Sequence, residues 1–506
     1  MNLIIILFYI IPLTWLFLYS LGQLNLVFLY WTNGKNKSVV LKALTDNDQL
    51  PFVTVQLPIY NELYVVENLL DAIGAFDYPL DKFEVQVLDD STDETVAIIS
   101  KKVAELTKKG LNIVHISREE RTGFKAGALQ YGTTLAKGEF IAIFDADFRP
   151  YPDFLKRSLP YFKDDKISDK ISEKISDKIS DKIALVQTRW VHLNENYSLL
   201  TRVQAIALNA HFIVEHLARN RSGLFMNFNG TAGIWRKAAI MDAGGWEADT
   251  LTEDIDLSYR AQLKGWSFAY VPEIECPAEI PIDMSAMRSQ QFRWVKGPAE
   301  CARKNLGRVF NDKKMSIFQK IHAFYHLLNS SLFIAVFIMS IFSLPLIFTL
   351  NNIDSPFLIS LNKILSFGIF FIFIFFWTAN QHIKGNSIAA NLRFLLMFPL
   401  LWMMSLGLSM YNSFAAFEGY IGKKTPFIRT PKFNLIKQGE SKNNQYISQK
   451  LNPFVYFELL LAACFLLGIL AAFYWQIYAL MPLHIGLFLG YSLISGFSIY
   501  HNKRGA

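Results

Sequence analysis

Two carboxylates lie one residue apart at the end of an apolar run, and their chemistry is the first pointer to function. Residues 140–147 read FIAIFDAD, so Asp145 and Asp147 follow a predicted buried strand. Side chains alternate along an extended chain, and the two carboxylates therefore point to the same side. Hard oxygen ligands suit Mg²⁺ or Mn²⁺, which proteins hold with one or two carboxylates and phosphate oxygens. The pair predicts a divalent cation carrying a diphosphate, although a lone Asp-x-Asp is more often a turn.

Two further polar turns follow predicted strands and supply carboxylates for binding a nucleoside. Glu62 ends the segment of residues 58–62 (PIYNE), and Asp89 and Asp90 lie in residues 88–93 (LDDSTD). A carboxylate at a strand end can accept hydrogen bonds from a nucleobase or a ribose. Each turn taken alone is more simply explained as a cap of the following helix.

Three more segments offer groups for transfer chemistry. Lys125 lies among small residues in RTGFKAG (residues 121–127), which allows a diphosphate to approach the backbone closely. Asp254 lies in TEDID (residues 252–256) at a predicted helix start, where it could remove a proton from an acceptor hydroxyl, although Thr252 could also be a simple cap. The segment QQFRW (residues 290–294) provides Arg293 as a cation for a leaving diphosphate and Trp294 as a ring for stacking a sugar.

An alternation of strands and helices must position these groups. Residues 51–278 contain short β-branched runs separated by segments of helical periodicity, which predicts an α/β domain with a mostly parallel sheet covered on both faces. The predicted strands are residues 54–58, 84–88, 112–116, 140–144 and 184–187, and the predicted helices are residues 62–75, 95–109 and 127–137. Ligands of such sheets bind beyond the carboxyl ends of the strands, where the polar turns fall.

A repetitive segment interrupts this domain. Between residues 166 and 183 the tetrad Lys-Ile-Ser-Asp recurs, with Glu173 in place of one aspartate. Isoleucine at every fourth position would form a stripe on one side of a helix, with solvated charge pairs beside it. We interpret the segment as a surface insertion, with a partner-binding element as the alternative.

The composition indicates a membrane protein. Of 506 residues, 52% are hydrophobic and 15% aromatic, and the net charge is +7. The basic residues are dispersed and form no stripe interleaved with aromatic residues, so nucleic acid is not an expected partner. Cys276, Cys301 and Cys464 are too widely separated to indicate a disulfide scaffold or a zinc site.

Apolar segments predict five membrane spans, at residues 3–31, 323–350, 357–377, 454–475 and 484–500. Lys35 and Lys37 after the first span place the N-terminus outside and the α/β domain in the cytoplasm. Residues 388–410 are ambiguous, but an interfacial or re-entrant helix there keeps both the basic loop that follows and the tail Lys503-Arg504 cytoplasmic. The predicted parts are residues 1–34 (first span), 51–280 (α/β domain), 281–322 (basic amphipathic interfacial helices) and 323–506 (membrane helices, with an interfacial helix at 388–418).

The ordered set of motifs resembles the D, D, D, QxxRW signature of processive family 2 glycosyltransferases, the cellulose-synthase superfamily. It is most similar to the cellulose-synthase-like A and C proteins, which are plant mannan and glucan synthases, and to their bacterial relatives. The matching runs are residues 87–93, 125–129, 143–148, 228–233 and 288–294. Residues 427–432 (FIRTPK) are similar to the FxVTxK gating loop of that family, and we call residues 421–435 the gating-type loop. Arg429 departs from the family pattern, which has valine.

The resemblance implies a GT-A-type domain inserted between transmembrane helices, and a role for each motif residue. The implied donor-binding residues are Glu62, Asp89, Asp90, Lys125, Asp145, Arg293, Thr430 and Lys432, with Asp147 and Asp145 as metal ligands. The implied acceptor-binding residues are Gln290, Trp294 and Glu253, and Asp254 is the implied catalytic base.

The expected function is an inverting glycosyltransferase that polymerises a β-linked polysaccharide, mannan-like or glucan-like, from a UDP- or GDP-sugar and exports it through its membrane helices. A base opposite a metal-bound nucleoside diphosphate favours direct displacement with inversion. We expect a multi-pass protein of a bacterial inner membrane, with the lipid bilayer and the growing polysaccharide as partners. The alternatives are a transferase acting on ceramide or polyprenyl phosphate, and, more remotely, a transporter with a degenerate transferase domain.

Overall fold

A seven-stranded mixed sheet forms the centre of the α/β domain in the computed structural model of the chain. The structure describes residues 2–34, 41–45, 49–162, 182–353, 356–425, 428–434, 446 and 450–504. The strands are β1 (Val53–Ile59), β2 (Phe83–Asp89), β3 (Ile113–Ser117), β4 (Phe140–Ile143), β5 (Ile183–His192), β6 (Gly233–Arg236) and β7 (Ser267–Ala278). Their order across the sheet is β3-β2-β1-β4-β6-β5-β7.

All strands except β6 pair in parallel with at least one neighbour. β1 pairs in parallel with β2 and β4, β2 with β3, and β5 with β7, whereas β6 is antiparallel to β4 and β5. The predicted α/β class with a mixed, mostly parallel sheet is confirmed. The carboxyl ends of β1, β2 and β3 are in register, since Ile59 pairs with Asp89 and Asp89 with Ser117. The polar turns that follow β1, β2 and β4 therefore meet at one edge of the sheet.

The core of the sheet fixes the position of this edge. Val53, Val55 and Leu57 of β1 are fully buried, and each aliphatic side chain buried in this way contributes about 1.5–3 kcal/mol. Polar groups within the core are hydrogen bonded: Thr54 Oγ1 donates to Glu84 Oε1 at 2.8 Å, and so does the backbone N–H of Lys137 at 2.7 Å. A packed, hydrogen-bonded sheet makes the strand ends a rigid base for functional side chains.

Helix α1 (Asn2–Leu29) precedes the domain, and eight helices belong to the described part of the domain itself. They are α2 (Val66–Gly74), α3 (Thr95–Lys108), α4 (Phe124–Leu135), α5 (Phe154–Ser158), α6 (Leu199–Ala210), α7 (Leu217–Arg221), α8 (Lys237–Asp242) and α9 (Glu253–Leu263). The helix predicted from residue 62 begins only at Val66. Asn61 has a φ of 54°, and its side chain accepts a hydrogen bond from the backbone N–H of Thr92 at 2.8 Å, so residues 60–65 form a turn.

Nine helices follow the domain in the described part of the chain. They are α10 (Met284–Asn311), α11 (Ile317–Leu327), α12 (Ser331–Asn352), α13 (Pro356–Ser366), α14 (Gly368–Lys384), α15 (Ile388–Gly407), α16 (Ser409–Ile421), α17 (Phe454–Tyr474) and α18 (Met481–Arg504). The span predicted at residues 323–350 begins instead at Ser331. Its first residues belong to α11, which ends at Leu327.

Six helical segments of the described chain are long and apolar enough to cross a membrane. They are Asn2–Asn33, Ser331–Asn352, Pro356–Lys384, Ile388–Gly407, Phe454–Tyr474 and Tyr478–Asn502. The chain is therefore a membrane protein by composition and helix length. Five segments correspond to the predicted spans, and the sixth, α15, is the helix that the sequence assigns to the interface. The length and composition of α15 are compatible both with a membrane span and with a helix in the interface.

The connections of α15 and α16 show where this pair of helices begins and ends. Lys384, just before α15, forms an ion pair with Glu195 of the α/β domain at 2.8 Å. Beyond α16, Thr430 accepts a hydrogen bond from Arg293 of α10 at 2.7 Å. Both ends of the pair thus lie on the side of the α/β domain, which is the geometry of a re-entrant hairpin; the re-entrant placement itself stays a prediction.

Several predictions fall on residues that the structure does not describe. Lys35 and Lys37, residues 163–181 with most of the tetrad insertion, and Phe427 of the gating-type loop all lie outside the described residues. The predicted domain boundaries likewise stay predictions.

Candidate active site

A cavity of about 360 Å³ opens at the carboxyl edge of the sheet, between the α/β domain, α10 and the gating-type loop. Twelve of the thirteen predicted site residues line it: Glu62, Asp90, Lys125, Asp145, Asp147, Glu253, Asp254, Gln290, Arg293, Trp294, Thr430 and Lys432. The structure therefore brings together segments that are up to 370 residues apart in the sequence. The roles predicted for these residues stay predictions, and the distances and partners of each residue are given below.

Asp89 is the predicted site residue that does not line the cavity. It is buried, with Oδ2 at 2.8 Å from His115 Nε2 and Oδ1 accepting from the backbone N–H of Ser91 at 2.9 Å. As the last residue of β2, it points to the opposite side from Asp90. Oδ1 thus holds the turn after β2, and Oδ2 holds His115 of the neighbouring strand β3. Both contacts are structural, and the donor-binding role of Asp89 stays a prediction.

Asp90 has a partner that sequence reasoning missed. Arg118, which follows β3, donates from Nε to Asp90 Oδ1 at 2.9 Å, and its Nη2 contacts Oδ2 at 2.5 Å. Nearby, the guanidinium of Arg121 lies 3.3 Å from the centroid of the Tyr60 ring. The only sequence signal was a basic residue two positions after a predicted strand. This fork-to-carboxylate pair fixes the orientation of Asp90 at the cavity wall.

Each carboxylate of the Asp145-Ala-Asp147 turn is paired with a lysine from another segment. Lys125 Nζ lies 2.6 Å from Asp145 Oδ1 and donates to the carbonyl of Gly230 at 2.9 Å. Lys432 Nζ lies 2.6 Å from Asp147 Oδ2. Burial lowers the pKa of Lys125, but the neighbouring carboxylates of Asp145 and Glu253 outweigh it and raise the pKa above its ordinary value. Burial likewise lowers the pKa of Lys432, but Asp147 and the other nearby carboxylates outweigh it and raise the pKa, so both lysines are cationic where they line the cavity.

Asp254 has the environment of a proton acceptor. It lies in the first turn of α9, and its Oδ1 accepts from the backbone N–H of Ile255 at 2.8 Å. Burial, and then the neighbouring Glu253, raise the pKa of Asp254 to about 8. Burial also raises the pKa of Glu253, whose Oε1 lies 3.8 Å from Lys125 Nζ. A carboxylate whose pKa lies near the working pH is suited to general base catalysis.

Two glycines permit the close approach of backbone to this carboxylate segment. Gly230 has a φ of 81°, and a Cβ there would lie 3.0 Å from Asp254 Oδ2. Gly297 of α10 packs against the same turn, because a Cβ there would lie 2.4 Å from Cγ2 of Thr252. Thr252 precedes α9 but makes no side-chain cap; its hydroxyl contacts Cys301 Sγ at 3.4 Å. The turn before α9 is thus fastened to α10.

Helix α10 supplies the wall of the cavity opposite the carboxyl edge of the sheet. Gln290, Arg293 and Trp294 lie at i, i+3 and i+4, on one side of the helix, and all three line the cavity. Arg293 Nη2 donates to Thr430 Oγ1 of the gating-type loop at 2.7 Å. Burial lowers the pKa of the Arg293 guanidinium, yet it remains a cation. Sequence motifs 137 residues apart therefore meet through this one hydrogen bond.

Residues of the gating-type loop line the cavity, and Arg429 fastens this loop to the α/β domain. The Arg429 guanidinium lies 2.8 Å from Glu62 Oε2 and 4.0 Å from the centroid of the Tyr446 ring. Burial raises the pKa of Glu62 to about 8, although Arg429 opposes this shift. Farther along the loop, Glu279 accepts hydrogen bonds from the backbone N–H groups of Phe433 and Asn434 at 2.9 and 2.7 Å. The valine-to-arginine departure from the family pattern thus adds an ion pair across the cavity mouth.

A second cluster of carboxylates lies at the edge of the cavity, and a lysine side chain occupies its centre. Lys304 Nζ of α10 lies 2.6 Å from Glu247, 2.8 Å from Asp249 and 3.0 Å from Asp256. The three carboxylates are close enough to hold a metal ion, but Lys304 contacts all three of them, and Arg260 also pairs with Asp256 at 2.7 Å and with Glu247 at 3.6 Å. This cluster holds the turn before α9 against α10.

Comparison with known proteins gives a consistent result across the domain. Residues 51–297 match the sequence profile described as "Glycosyltransferase like family 2". The chain is 40% identical over 280 residues to glucomannan 4-beta-mannosyltransferase 1 of Oryza sativa subsp. japonica, which covers 54% of this chain and 51% of that protein. It is 36% identical over 354 residues to probable glucomannan 4-beta-mannosyltransferase 11 of Arabidopsis thaliana, covering 67% of this chain and 76% of that protein.

The curated relatives are matched over part of their length only. The chain spans about half the length of most of them. Among solved structures, the mannosyltransferase PcManGT from Pyrobaculum calidifontis, in complex with GDP-Man and Mn²⁺, superimposes with a TM-score of 0.51 at 19% identity. That comparison covers 81% of this chain and 100% of the other chain. It supports the fold, and the expected GT-A-type fold is confirmed.

Proposed function

Because the chain belongs to glycosyltransferase family 2, we propose that it is a membrane-embedded inverting glycosyltransferase that polymerises a β-linked polysaccharide from a nucleoside diphosphate sugar. The observation that carries the proposal is one cavity with two chemically different walls. Paired carboxylates and lysines line the wall at the strand ends, and Gln290 and Trp294 line the wall formed by α10. A donor and an acceptor can therefore meet beside Asp254.

On the donor side, Glu62 and Asp90 bind the nucleoside, and Lys125, Arg293 and Lys432 neutralise the diphosphate. Asp90 is pre-oriented by its pair with Arg118, so little conformational freedom is lost when the nucleoside binds. The loop residues Thr430 and Lys432 cover the donor, since Thr430 is only 2% exposed. Exclusion of water there limits hydrolysis of the donor.

The donor set fits a divalent cation. Asp145 and Asp147 are hard oxygen ligands that line the same cavity and lie one residue apart. We propose that Asp147, with Asp145, holds Mg²⁺ or Mn²⁺, which would stabilise the charge that develops on the leaving diphosphate. The two lysines that contact these carboxylates are long enough to turn toward phosphate oxygens when the donor enters.

On the acceptor side, Asp254 removes the proton of the acceptor hydroxyl while Trp294 stacks on the sugar and Gln290 and Glu253 hold its hydroxyl groups. Oδ1 of Asp254 is held by the Ile255 N–H, which leaves Oδ2 for the incoming hydroxyl. The nucleophile attacks the anomeric carbon from the side opposite the diphosphate, and its proton passes to Asp254. One displacement of this kind inverts an α-linked donor to a β-glycoside.

Mannose is the sugar that the relatives favour. Both curated relatives described above are named glucomannan 4-beta-mannosyltransferases, and we propose GDP-mannose as a donor. UDP-glucose is the second candidate, because the motifs also resemble those of the glucan synthases of the same superfamily. We further propose that the domain faces the cytoplasm, that the N-terminus is outside, and that the product leaves between the membrane helices that contact α10.

Purified protein incubated with a panel of labelled UDP- and GDP-sugars and Mn²⁺ or Mg²⁺ tests the proposal. We expect release of GDP from GDP-mannose together with a labelled product that stays at the origin of a thin-layer plate and is degraded by β-glycanases. A product consisting only of a mono-glycosylated lipid would refute polymerisation. The absence of turnover with every donor would refute the transferase activity itself.

A further inference from the structure

A buried ion pair joins the start of α10 to the membrane helices. Arg288 donates from Nη1 to Glu458 Oε1 at 2.8 Å and from Nη2 to Oε2 at 2.7 Å. The two side chains are 2% and 0% exposed. Glu458 lies about one turn inside α17, an apolar helix long enough to span a membrane. Charged residues in such a place are rare and usually functional, because desolvating them is unfavourable unless they are fully paired.

Further contacts hold the same end of α10 against the membrane helices. Arg288 Nη2 also donates to Ser498 Oγ of α18 at 3.1 Å. The Arg288 guanidinium lies 5.3 Å from the ring centroid of Tyr411 in α16. Four residues earlier, the backbone N–H of Met284 donates to His501 Nδ1 of α18 at 3.2 Å. The beginning of α10 is thus connected to α16, α17 and α18 at once, with Arg288 at the centre.

The opposite side of the same helical turns faces the cavity. With 100° of rotation per residue, Arg288 and Phe292 lie on the membrane side of α10, whereas Gln290, Arg293 and Trp294 lie on the other side. Gln290 is only two residues from Arg288, and α10 is helical throughout this stretch. A displacement of the ion pair therefore moves the acceptor wall of the cavity as part of one rigid helix.

We propose that Arg288 and Glu458 are positioning residues that hold Gln290 and Trp294 at the distance from Asp254 that glycosyl transfer requires. This inference rests on the proposed function, since it concerns where the acceptor sits. The bidentate geometry suits the pair to positioning, because two parallel hydrogen bonds fix both the distance and the rotation of the helix. Most of the proposed donor groups, among them Asp90, Lys125 and Asp145, lie on the α/β domain and do not depend on this contact. Arg293 is the proposed donor-binding residue that α10 itself carries.

Replacement of Glu458 separates positioning of the acceptor from binding of the donor. In Glu458→Gln we expect the kcat of transfer to acceptor to fall about 100-fold, because a shift of about 1 Å in a reacting group can have this effect. The affinity for GDP with Mn²⁺, measured by isothermal titration calorimetry, should fall far less than kcat, by about threefold, because α10 carries Arg293 but none of the other proposed donor-binding residues. The share of labelled donor hydrolysed to free sugar should rise, because water replaces the misplaced acceptor.

Two further variants keep the test informative. Glu458→Asp retains the charge but shortens the side chain by one methylene, so it should fold even where Glu458→Gln does not and should lose about tenfold in transfer kcat. Glu195→Gln is the matched control, because Glu195 also joins the α/β domain to a membrane-side helix, through its ion pair with Lys384 of α14. We expect Glu195→Gln to leave transfer and hydrolysis unchanged.

Amide hydrogen exchange gives a readout that does not require activity. If the pair positions α10, exchange of residues 284–297 should rise in both Glu458 variants and stay unchanged in Glu195→Gln. Unaltered transfer kcat and unaltered exchange in folded Glu458→Asp would overturn the proposal, and so would losses of transfer and GDP affinity by equal factors. If the wild type transfers no sugar, the proposed function fails, whereas raised exchange over residues 284–297 would still support the mechanical link.

Discussion

Replacing Asp254 by asparagine tests the assignment of the base with little change in shape. A positioned general base contributes about 10²- to 10⁴-fold to a rate, which is about 3 to 5 kcal/mol of transition-state stabilisation at about 1.36 kcal/mol per factor of ten. The amide oxygen of asparagine can still accept the hydrogen bond that the Ile255 N–H donates to Oδ1. We therefore expect a loss of transfer in this range and no loss of the local fold.

The raised pKa of Asp254 also predicts how the stability of the folded protein changes with pH and in the Asp254→Asn variant. Because its folded-state pKa of about 8 lies above the ordinary value of 3.8, the folded protein retains a proton that the unfolded chain has lost at pH 7. Between about pH 4 and about pH 8 the carboxyl is ionised in the unfolded chain but still protonated in the folded protein, so the folded state becomes less stable as pH rises through this range. An asparagine has no charge to bury, so Asp254→Asn should be at least as stable as the wild type at pH 7.

The assay measures nucleotide release and polymer from a labelled donor, GDP binding by calorimetry and thermal unfolding in the same detergent. Asp249→Asn is the matched control, since Asp249 also lines the cavity but its side chain is 51% exposed and paired with Lys304. We expect the control to stay within about threefold of the wild-type transfer rate. Activity of Asp254→Asn within about tenfold of the wild type, or a loss of GDP affinity as large as the loss of transfer, would refute the role of Asp254.

Three other predictions concern pH, the metal and the loop. The kcat/KM for transfer should rise with pH toward about 8 as Asp254 loses its proton; a profile that is flat between about pH 6 and 8 would contradict this. Asp147→Ala should abolish the dependence of donor binding on Mn²⁺ or Mg²⁺, which calorimetry with and without the ion measures; an unchanged metal effect would exclude Asp147 as a ligand. Arg429→Val removes the ion pair with Glu62 and should raise the KM for the donor by about 3- to 10-fold with little change in kcat. A lower KM in that variant would mean that the pair restrains donor entry instead of holding the loop.

The strands and the motifs that follow them could be predicted from the sequence because their signals are local. The run that ends in Asp145 and Asp147 appears as β4 and its turn, and the TED segment begins a helix, α9, as predicted. Two strands were missed for physical reasons. β6 has four residues, and β7 contains Pro272 and Pro277, which normally exclude a central strand. β7 tolerates its prolines because it lies at the edge of the sheet.

The partners of the site residues could not be predicted, because they depend on tertiary contacts. Sequence reasoning offered both Asp89 and Asp90 for the nucleoside, and only the packing of β2 shows which of the two faces the cavity. Arg118 belongs to no recognised motif, yet it fixes Asp90. The pair of Arg288 and Glu458 joins residues 170 positions apart, and no local pattern indicates such a contact.

Incubation of the purified protein with GDP-[¹⁴C]mannose and Mn²⁺, followed by size-exclusion chromatography of the labelled product with and without endo-β-mannanase, tests the central claim most directly. The site described above predicts a high-mass product that the enzyme converts to short oligosaccharides, and predicts that Asp254→Asn yields none. A label recovered only as free mannose or as a mono-mannosylated lipid would contradict the claim that this chain polymerises a β-linked polysaccharide.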